Sequence, residues 1–349
     1  MERFAADRRA EAADLGEDAV ALALAAGAAV TGGKRLRARF CLTGWQAVAH
    51  AEGRGRTVPG DDVVAAAGAL EIFHAAALVH DDLIDNSDTR RGRPSAHRSL
   101  QAQHEARGWR GDAATFGRSS AILLGDLLVA WSDDLLEEGL RQAPHADRAR
   151  REYARMRREV TMGQYLDLVE EAAAVTVDRT RHAERALRVA TYKSARYSVQ
   201  QPLLIGAALA GADESQVDAL ARFGLPLGLA FQLRDDVLGV FGDADVTGKP
   251  SGDDLREGKR TLLIAYALES LPSGPRRTLE ELLGDPHLDG EQVSHLQSTI
   301  SASGALERVE ELISGYATEA DRALRGAALD NAAVGALREL ARASVSRTS

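Results

Sequence analysis

The stretch that most limits how this chain can fold is His80–Pro94, reading HDDLIDNSDTRRGRP. It follows LEIFHAAALVH (Leu70–His80), too apolar for a surface helix, so Asp81, Asp82 and Asp85 arrive at the mouth of a buried one. Spacings of three and four residues put these carboxylates on one helical face. Such a cluster repels itself, and each acid raises its neighbours' pKa unless a cation intervenes. Hard oxygen donors of this kind suit Mg²⁺, which takes one or two carboxylates together with water and substrate phosphates. Arg90, Arg91 and Arg93 come next. An acidic helix end beside a basic turn has the makeup of a diphosphate site, with metal on one side of the anion and guanidinium forks on the other. The same acids would also suit the solvated end of an ordinary helix, but the apolar run before them argues against that.

The pattern returns in GLPLGLAFQLRDDVLGVF (Gly224–Phe241), where a nearly continuous apolar helix delivers Asp235 and Asp236, with Gln232 one turn earlier. Two such helices, far apart in sequence, fit antiparallel halves of a bundle facing one cavity. The fifth position of this second cluster is Gly239 rather than an acid, which weakens it as a metal site. The loop GDADVTGKPSG carries Lys249, and DDLREGKRT then supplies Asp253, Asp254, Lys259 and Arg260.

Elsewhere the chain reads as helices. With 45% hydrophobic residues it can bury a sizeable core, and alternating β-branched runs are scarce. A first helix is expected over about 5–30, stopped at Thr31-Gly32-Gly33. In the following GGKRLR, Lys34 and Arg37 share one side of a new helix start, where cations oppose the helix dipole and a bound diphosphate would compensate them. Asp61 or Asp62 is expected to cap the long apolar helix. Residues 101–118, with several glycines and weak periodicity, read as a mobile loop before a helix at Ser119–Leu140. Asp133 and Asp134 in that helix read as surface. GQYLDL puts Gln164 and Asp167 on one face of the next helix, and Lys193, between apolar turns of Arg179–Leu209, is a candidate inward-facing cation, unless it snorkels to solvent.

Composition excludes several functions. A net charge of −9, with arginines interleaved among acids, argues against a nucleic-acid binder. The single cysteine, Cys41, excludes an internal disulfide framework and reads as a small core residue of a reducing compartment. The N-terminus lacks a signal-peptide layout and the apolar run at Ala19–Val30 is too short to span a bilayer, so a cytoplasmic protein without a membrane span is expected. With no repeat or low-complexity linker evident, 1–349 reads as one domain.

GGKRLR, HDDLIDNSDTRRGRP, GQYLDL, YKS and QLRDDVLGVFGDADVTGKPSGDDLREGKRT together resemble the all-trans (E) polyprenyl diphosphate synthase family, in order and spacing, over about 30–265. The resemblance implies an all-α antiparallel bundle around a deep cavity, a homodimer, and three Mg²⁺ per active site. It also implies a 1'-4 condensation of an allylic diphosphate (dimethylallyl, geranyl or farnesyl) with isopentenyl diphosphate. By this match Asp81, Asp82, Asp85, Asp235 and Asp236 hold the metal, and Arg90, Lys193 and Lys249 meet the allylic diphosphate. Lys34, Arg37, His74 and Arg91 match the isopentenyl diphosphate site, although His74 alone would read as a core histidine. Gln164, Asp167, Gln232 and Lys259 match positions lining or supporting the inner site.

Product length is read from the helix that delivers the first acids. Ala77 and Ala76, four and five residues before Asp81, leave out the aromatic floor often carried there by farnesyl-length members. Phe73, about one turn of 5.4 Å deeper, is the next bulky side chain, one isoprene unit further down. Geranylgeranyl diphosphate is the expected product, with a farnesyl or longer-chain synthase as the alternative; a stop set by another residue, on the Ser119–Leu140 helix, would go with a longer product. A class I terpene cyclase would need a different second acidic motif, and 5% aromatic residues is sparse for guiding cyclic cations. A non-catalytic partner subunit would have lost aspartates that this chain retains.

Overall fold

The computed structural model describes residues 1–51, 58–90, 92–243 and 251–345. The fold is all-α, as the apolar periodicity requires. Helices α1 (Glu2–Ala12), α2 (Glu17–Ala29), α3 (Leu36–Ala49), α4 (Asp61–Ile84), α5 (Ala96–Ala106) and α6 (Ala113–Leu140) come first. Between α4 and α5 lies a small antiparallel ribbon of β1 (Thr89–Arg90) and β2 (Arg93–Pro94). Then follow α7 (Ala146–Ala173), α8 (His182–Val189), a π-helical segment (Ala190–Gln200), α9 (Gln201–Leu209) and α10 (Glu214–Phe241). The remaining helices are α11 (Asp253–Glu257), α12 (Leu262–Ser270), α13 (Ser273–Leu282), α14 (Gly290–Ala302), α15 (Ala305–Ala323) and α16 (Asn331–Val345).

The described residues group into two compact units, one drawn from Met1–Leu42 and Val58–Ala146, the other from Thr43–Thr57 and Asp147–Ser349. In the first, α4 packs against α6. Gly125 and Gly139 of α6 make the close approach possible, since a Cβ on either would run into His80 or Ala65 of α4. Ile72, Ala75, Ala76 and Val79 of α4 meet Ala121, Leu124, Leu128 and Trp131 of α6 in one apolar cluster. Ser132 Oγ donates to the Ala69 carbonyl at 2.8 Å, so the polar atom in this interface is satisfied. In the second unit, α10 packs on the π segment and on α15, where Arg234 grips Glu310 with two bonds of 2.5 and 2.6 Å.

Four local expectations change. The first helix is two, because a 3₁₀ turn at Ala13–Leu15 and Gly16, at φ 98°, interrupt it. Neither Asp61 nor Asp62 caps α4. Gly60 does, and the two acids lie in the first turn, where their charge favours the dipole. Residues 101–118 are not a loop. Helix α5 continues to Ala106, and α6 starts at Ala113 with Asp112 accepting the Thr115 amide at 2.7 Å. His104, Trp109 and Phe116 pack together across the short turn, with ring centroids 5.0–5.9 Å apart. Arg179–Leu209 is helical throughout but winds as π over Ala190–Gln200.

By length and composition α4 and α6 could each cross a bilayer. Most of the apolar part of α4 is buried inside the protein, whereas Ile122 and Leu123 on α6 are exposed.

Candidate active site

Helix α4 ends at Ile84, so Asp81 and Asp82 occupy its last turn and Asp85 its C-cap. The ribbon pairs Thr89 with Pro94 and Arg90 with Arg93, which folds Arg90 back onto the acids. Its Nε donates to Asp82 Oδ1 at 2.8 Å, and a second guanidinium nitrogen bonds the same oxygen. Burial pushes the Asp82 carboxyl above the usual carboxylate range, and Arg90 offsets part of that rise. For Arg90, burial works to lower the pKa, but the bond to Asp82 and the charges of Asp81 and Asp85 hold it above its ordinary value. Arg91 lies outside the described residues, as does Lys249.

In the same unit, exposed Lys34 and half-buried Arg37 flank the start of α3. His74 is half-buried on α4. Phe73 is buried and Ala77 half-buried, whereas Ala76 is 1% exposed inside the α4–α6 cluster.

Helix α10 carries the second pair through the core cluster formed by Leu233, Val237 and Val240. Asp236 is buried, and Gln232 Nε2 donates to its Oδ1 at 2.7 Å. A Cβ at Gly239 would land on the carboxylate of Asp254, carried by α11. The space that a side chain on residue 239 would need is thus filled by an acid from another helix. Burial first, and then the charge of Asp254, pushes the Asp236 carboxyl up to about 8, while the Gln232 bond works the other way. Lys259 Nζ lies 2.6 Å from Glu257 and 3.8 Å from Asp254.

The raised Asp236 pKa predicts a pH effect on metal-free protein. Between the ordinary carboxylate pKa of about 3.9 and about 8 the folded state holds a proton that the unfolded state has lost, so stability falls as pH rises through this window. The loss levels off above the folded value, at an upper bound on the order of 5 kcal/mol. Thermal unfolding in EDTA should show wild type losing Tm from pH 5 to 8 and Asp236→Asn losing much less. Parallel curves would mean that the carboxyl stays ionised across the range.

Lys193 lies on the π segment and bonds to Asp167 on α7. Gly163, one turn before Asp167, makes this possible: a Cβ there would strike the backbone of Tyr192 and Lys193. Gln164 Nε2 is shielded from solvent without a hydrogen-bond partner, a donor left over for a ligand. Sequence reasoning named Lys193 and Asp167 but not their pairing, and it passed over Gly163 and the role of Asp254. No spacing rule connects residues on different helices.

Among the described residues, no three His, Cys, Asp or Glu side chains converge closely enough to hold a metal ion alone. Asp82 is turned to Arg90 and Asp236 to Gln232. The donors nevertheless suit Mg²⁺. They are all carboxylate oxygens, and the mutual repulsion at Asp236 is of the kind a divalent cation relieves, with phosphates and water completing its shell.

Residues 21–300 match the polyprenyl synthetase family. The chain is 31% identical to the short chain isoprenyl diphosphate synthase of Methanocaldococcus jannaschii, over 67% of this chain and 64% of that one. It is also 31% identical to the geranylfarnesyl diphosphate synthase of Aeropyrum pernix, over 83% and 82%. Its fold matches the crystal structure of geranylgeranyl pyrophosphate synthase from Corynebacterium glutamicum complexed with isoprenyl diphosphate and magnesium. The TM-score is 0.92 at 36% identity, covering 99% of this chain and 96% of that one. Two apolar helices that each carry paired aspartates toward their C-terminal ends, together with a match over most of the sequence, place the chain in the polyprenyl synthetase family.

Proposed function

We propose that this protein is a chain-elongating trans-prenyltransferase, joining an allylic diphosphate to isopentenyl diphosphate with geranylgeranyl diphosphate as its main product. The observation that carries the reading is the repeated delivery of buried carboxylates by α4 and α10, each beside its own cation or amide: Arg90 at Asp82, Gln232 at Asp236. Arg90 and Lys193 bind the allylic diphosphate. Lys34, Arg37 and His74 hold isopentenyl diphosphate. Asp81, Asp82, Asp85, Asp235 and Asp236, with Asp254 alongside, would hold Mg²⁺, which would supply electrostatic stabilisation of the departing diphosphate. Three ions per site is the stoichiometry of this reading, and metal titration with bound substrate analogue measures it.

The allylic carbon–oxygen bond breaks with both electrons leaving on diphosphate, as Arg90 and Lys193 receive the charge that develops there. The double bond of isopentenyl diphosphate then attacks the allylic cation, forming the new carbon–carbon bond. The proton lost from the adjacent carbon passes to the released diphosphate, so no side chain acts as general base. Incubation with Mg²⁺, isopentenyl diphosphate and each of dimethylallyl, geranyl and farnesyl diphosphate, followed by sizing of the product, tests the assignment. A twenty-carbon product is expected. A cyclic hydrocarbon formed without isopentenyl diphosphate would make the chain a cyclase, and no product from any primer would make it a partner subunit.

Phe73 is proposed as the floor that stops elongation. Phe73→Ala is expected to shift the product at least one isoprene unit longer, and Ala77→Phe to shorten it. An unchanged product from Phe73→Ala would move the floor elsewhere. Ala76 is a poorer probe because its tight packing against α6 makes a bulky replacement destabilising.

A homodimer in the cytoplasm completes the reading. Exposed Ile122 and Leu123 on α6, and Met162 and Tyr165 on α7, are apolar side chains that a second copy would cover. The lone buried cysteine suits a reducing compartment. Light scattering on the purified protein reports the mass directly.

A further inference from the structure

Glu71 is one of the buried carboxylates, with Asp62 and Glu170, that have no part in the reaction. It sits on α4, one turn before His74, and is only 5% exposed. Its Oε1 accepts the Ala38 amide at 3.0 Å, filling one of the open donors in the first turn of α3. Its Oε2 lies 3.7 Å from the Arg35 guanidinium, which also donates to the Val30 carbonyl at 2.5 Å. The backbone held this way is an unusual one. Gly32, Gly33 and Arg35 have φ of 75°, 82° and 52°, and for Arg35, which carries a side chain, the left-handed conformation is strained. Strain of this kind persists only where surrounding contacts over-determine it. Here those contacts converge on one carboxylate, and the residues immediately before and two after Arg35 are Lys34 and Arg37.

We propose that Glu71 is a positioning residue for the isopentenyl diphosphate site. Its carboxylate ties the GGKRLR turn to α4, so that Lys34 and Arg37 meet one diphosphate anion in a fixed geometry, without Glu71 itself touching that anion. The proposal rests on the assignment of Lys34 and Arg37 to isopentenyl diphosphate. A negative charge near an anion site would weaken binding if charge alone mattered. Its value lies in ordering the turn before the substrate arrives.

The consequence is a split in the kinetics. Glu71→Ala should raise KM for isopentenyl diphosphate about tenfold or more while leaving KM for the allylic primer within about twofold. Glu71→Gln keeps an oxygen to accept the Ala38 amide but gives up the charge facing Arg35, so its KM should fall between those of Glu71→Ala and wild type, close to that of Arg35→Gly, a partial rescue that general unfolding would not produce. Arg35→Gly guards against a misfolded alanine variant. Glycine adopts φ near 52° without strain, so the turn survives while the ion pair is lost, and KM for isopentenyl diphosphate should again rise severalfold. Lys34→Ala, measured in parallel, keeps the two levels apart. If Lys34→Ala raises that KM and neither Glu71→Ala nor Arg35→Gly does, the positioning role is wrong and the site assignment stands. If Lys34→Ala leaves it unchanged, the assignment itself fails. Equal rises in both KM values for Glu71→Ala would also overturn the proposal.

Discussion

Asp81→Asn and Asp235→Asn proteins are expected to lose about two to three orders of magnitude in kcat while unfolding at or slightly above the wild-type temperature. The activity loss follows from removing an oxygen charge where Mg²⁺ and a diphosphate would be held. The stability effect comes from position. Asp81 stands in the last turn of α4, where negative charge opposes the dipole, whereas Asp235 lies nearly two turns before the end of α10 and acts instead by crowding Asp236 with like charge, which Asn would relieve. Neither is part of the apolar clusters that hold those helices. Circular dichroism melts and steady-state rates on the same preparations check both halves. Retention of activity within a few-fold would remove these residues from the metal assignment, and a large fall in Tm would show that they act through the fold.

The second large effect is expected at a residue with no side chain. Gly163→Ala places a Cβ against the backbone of Tyr192 and Lys193, and backbone cannot turn away as the tip of a side chain can. Helix α7 and the π segment must separate, which carries Lys193 away from Asp167. A displacement of about 1 Å at a charge-bearing group is enough for roughly a hundredfold loss in kcat/KM for the allylic substrate. Overpacking of this kind also costs about 1–3 kcal/mol, so Tm should fall by several degrees. Lys193→Ala separates the two effects, because it should weaken the allylic substrate without overpacking α7 against the π segment, its Tm falling only through the loss of the ion pair to Asp167. Wild-type Tm and wild-type allylic KM in Gly163→Ala would mean that the close approach is not required.

Glycines account for much of what the sequence hid. Gly108, Gly111 and Gly117 suggest a loop when read along the chain. Gly108 and Gly111 do lie in a turn at positive φ, but Gly117 is inside α6, where a Cβ would meet the His97 carbonyl of α5. One residue type serves a turn in one place and helix contact in the other, and only the element packed opposite distinguishes them. Gly239 is similar. In sequence it is a missing acid, whereas in the fold it is the space occupied by Asp254.

Fold class, the two acidic helix segments and the cations flanking them are legible in the order of residues alone. These are local properties: the apolar period of Leu70–His80 and Gly224–Phe241 dictates burial, and carboxylates three and four residues apart must share a helical face. Which charges pair is not legible in that order. The bonds Arg90–Asp82 and Lys193–Asp167, the crowding of Asp236 by Asp254, and the grip of Glu71 on the Lys34–Arg37 turn come from how the helices pack. Electrostatic and hydrogen-bond energies depend on distance in space and on burial, and neither is encoded in spacing along the chain.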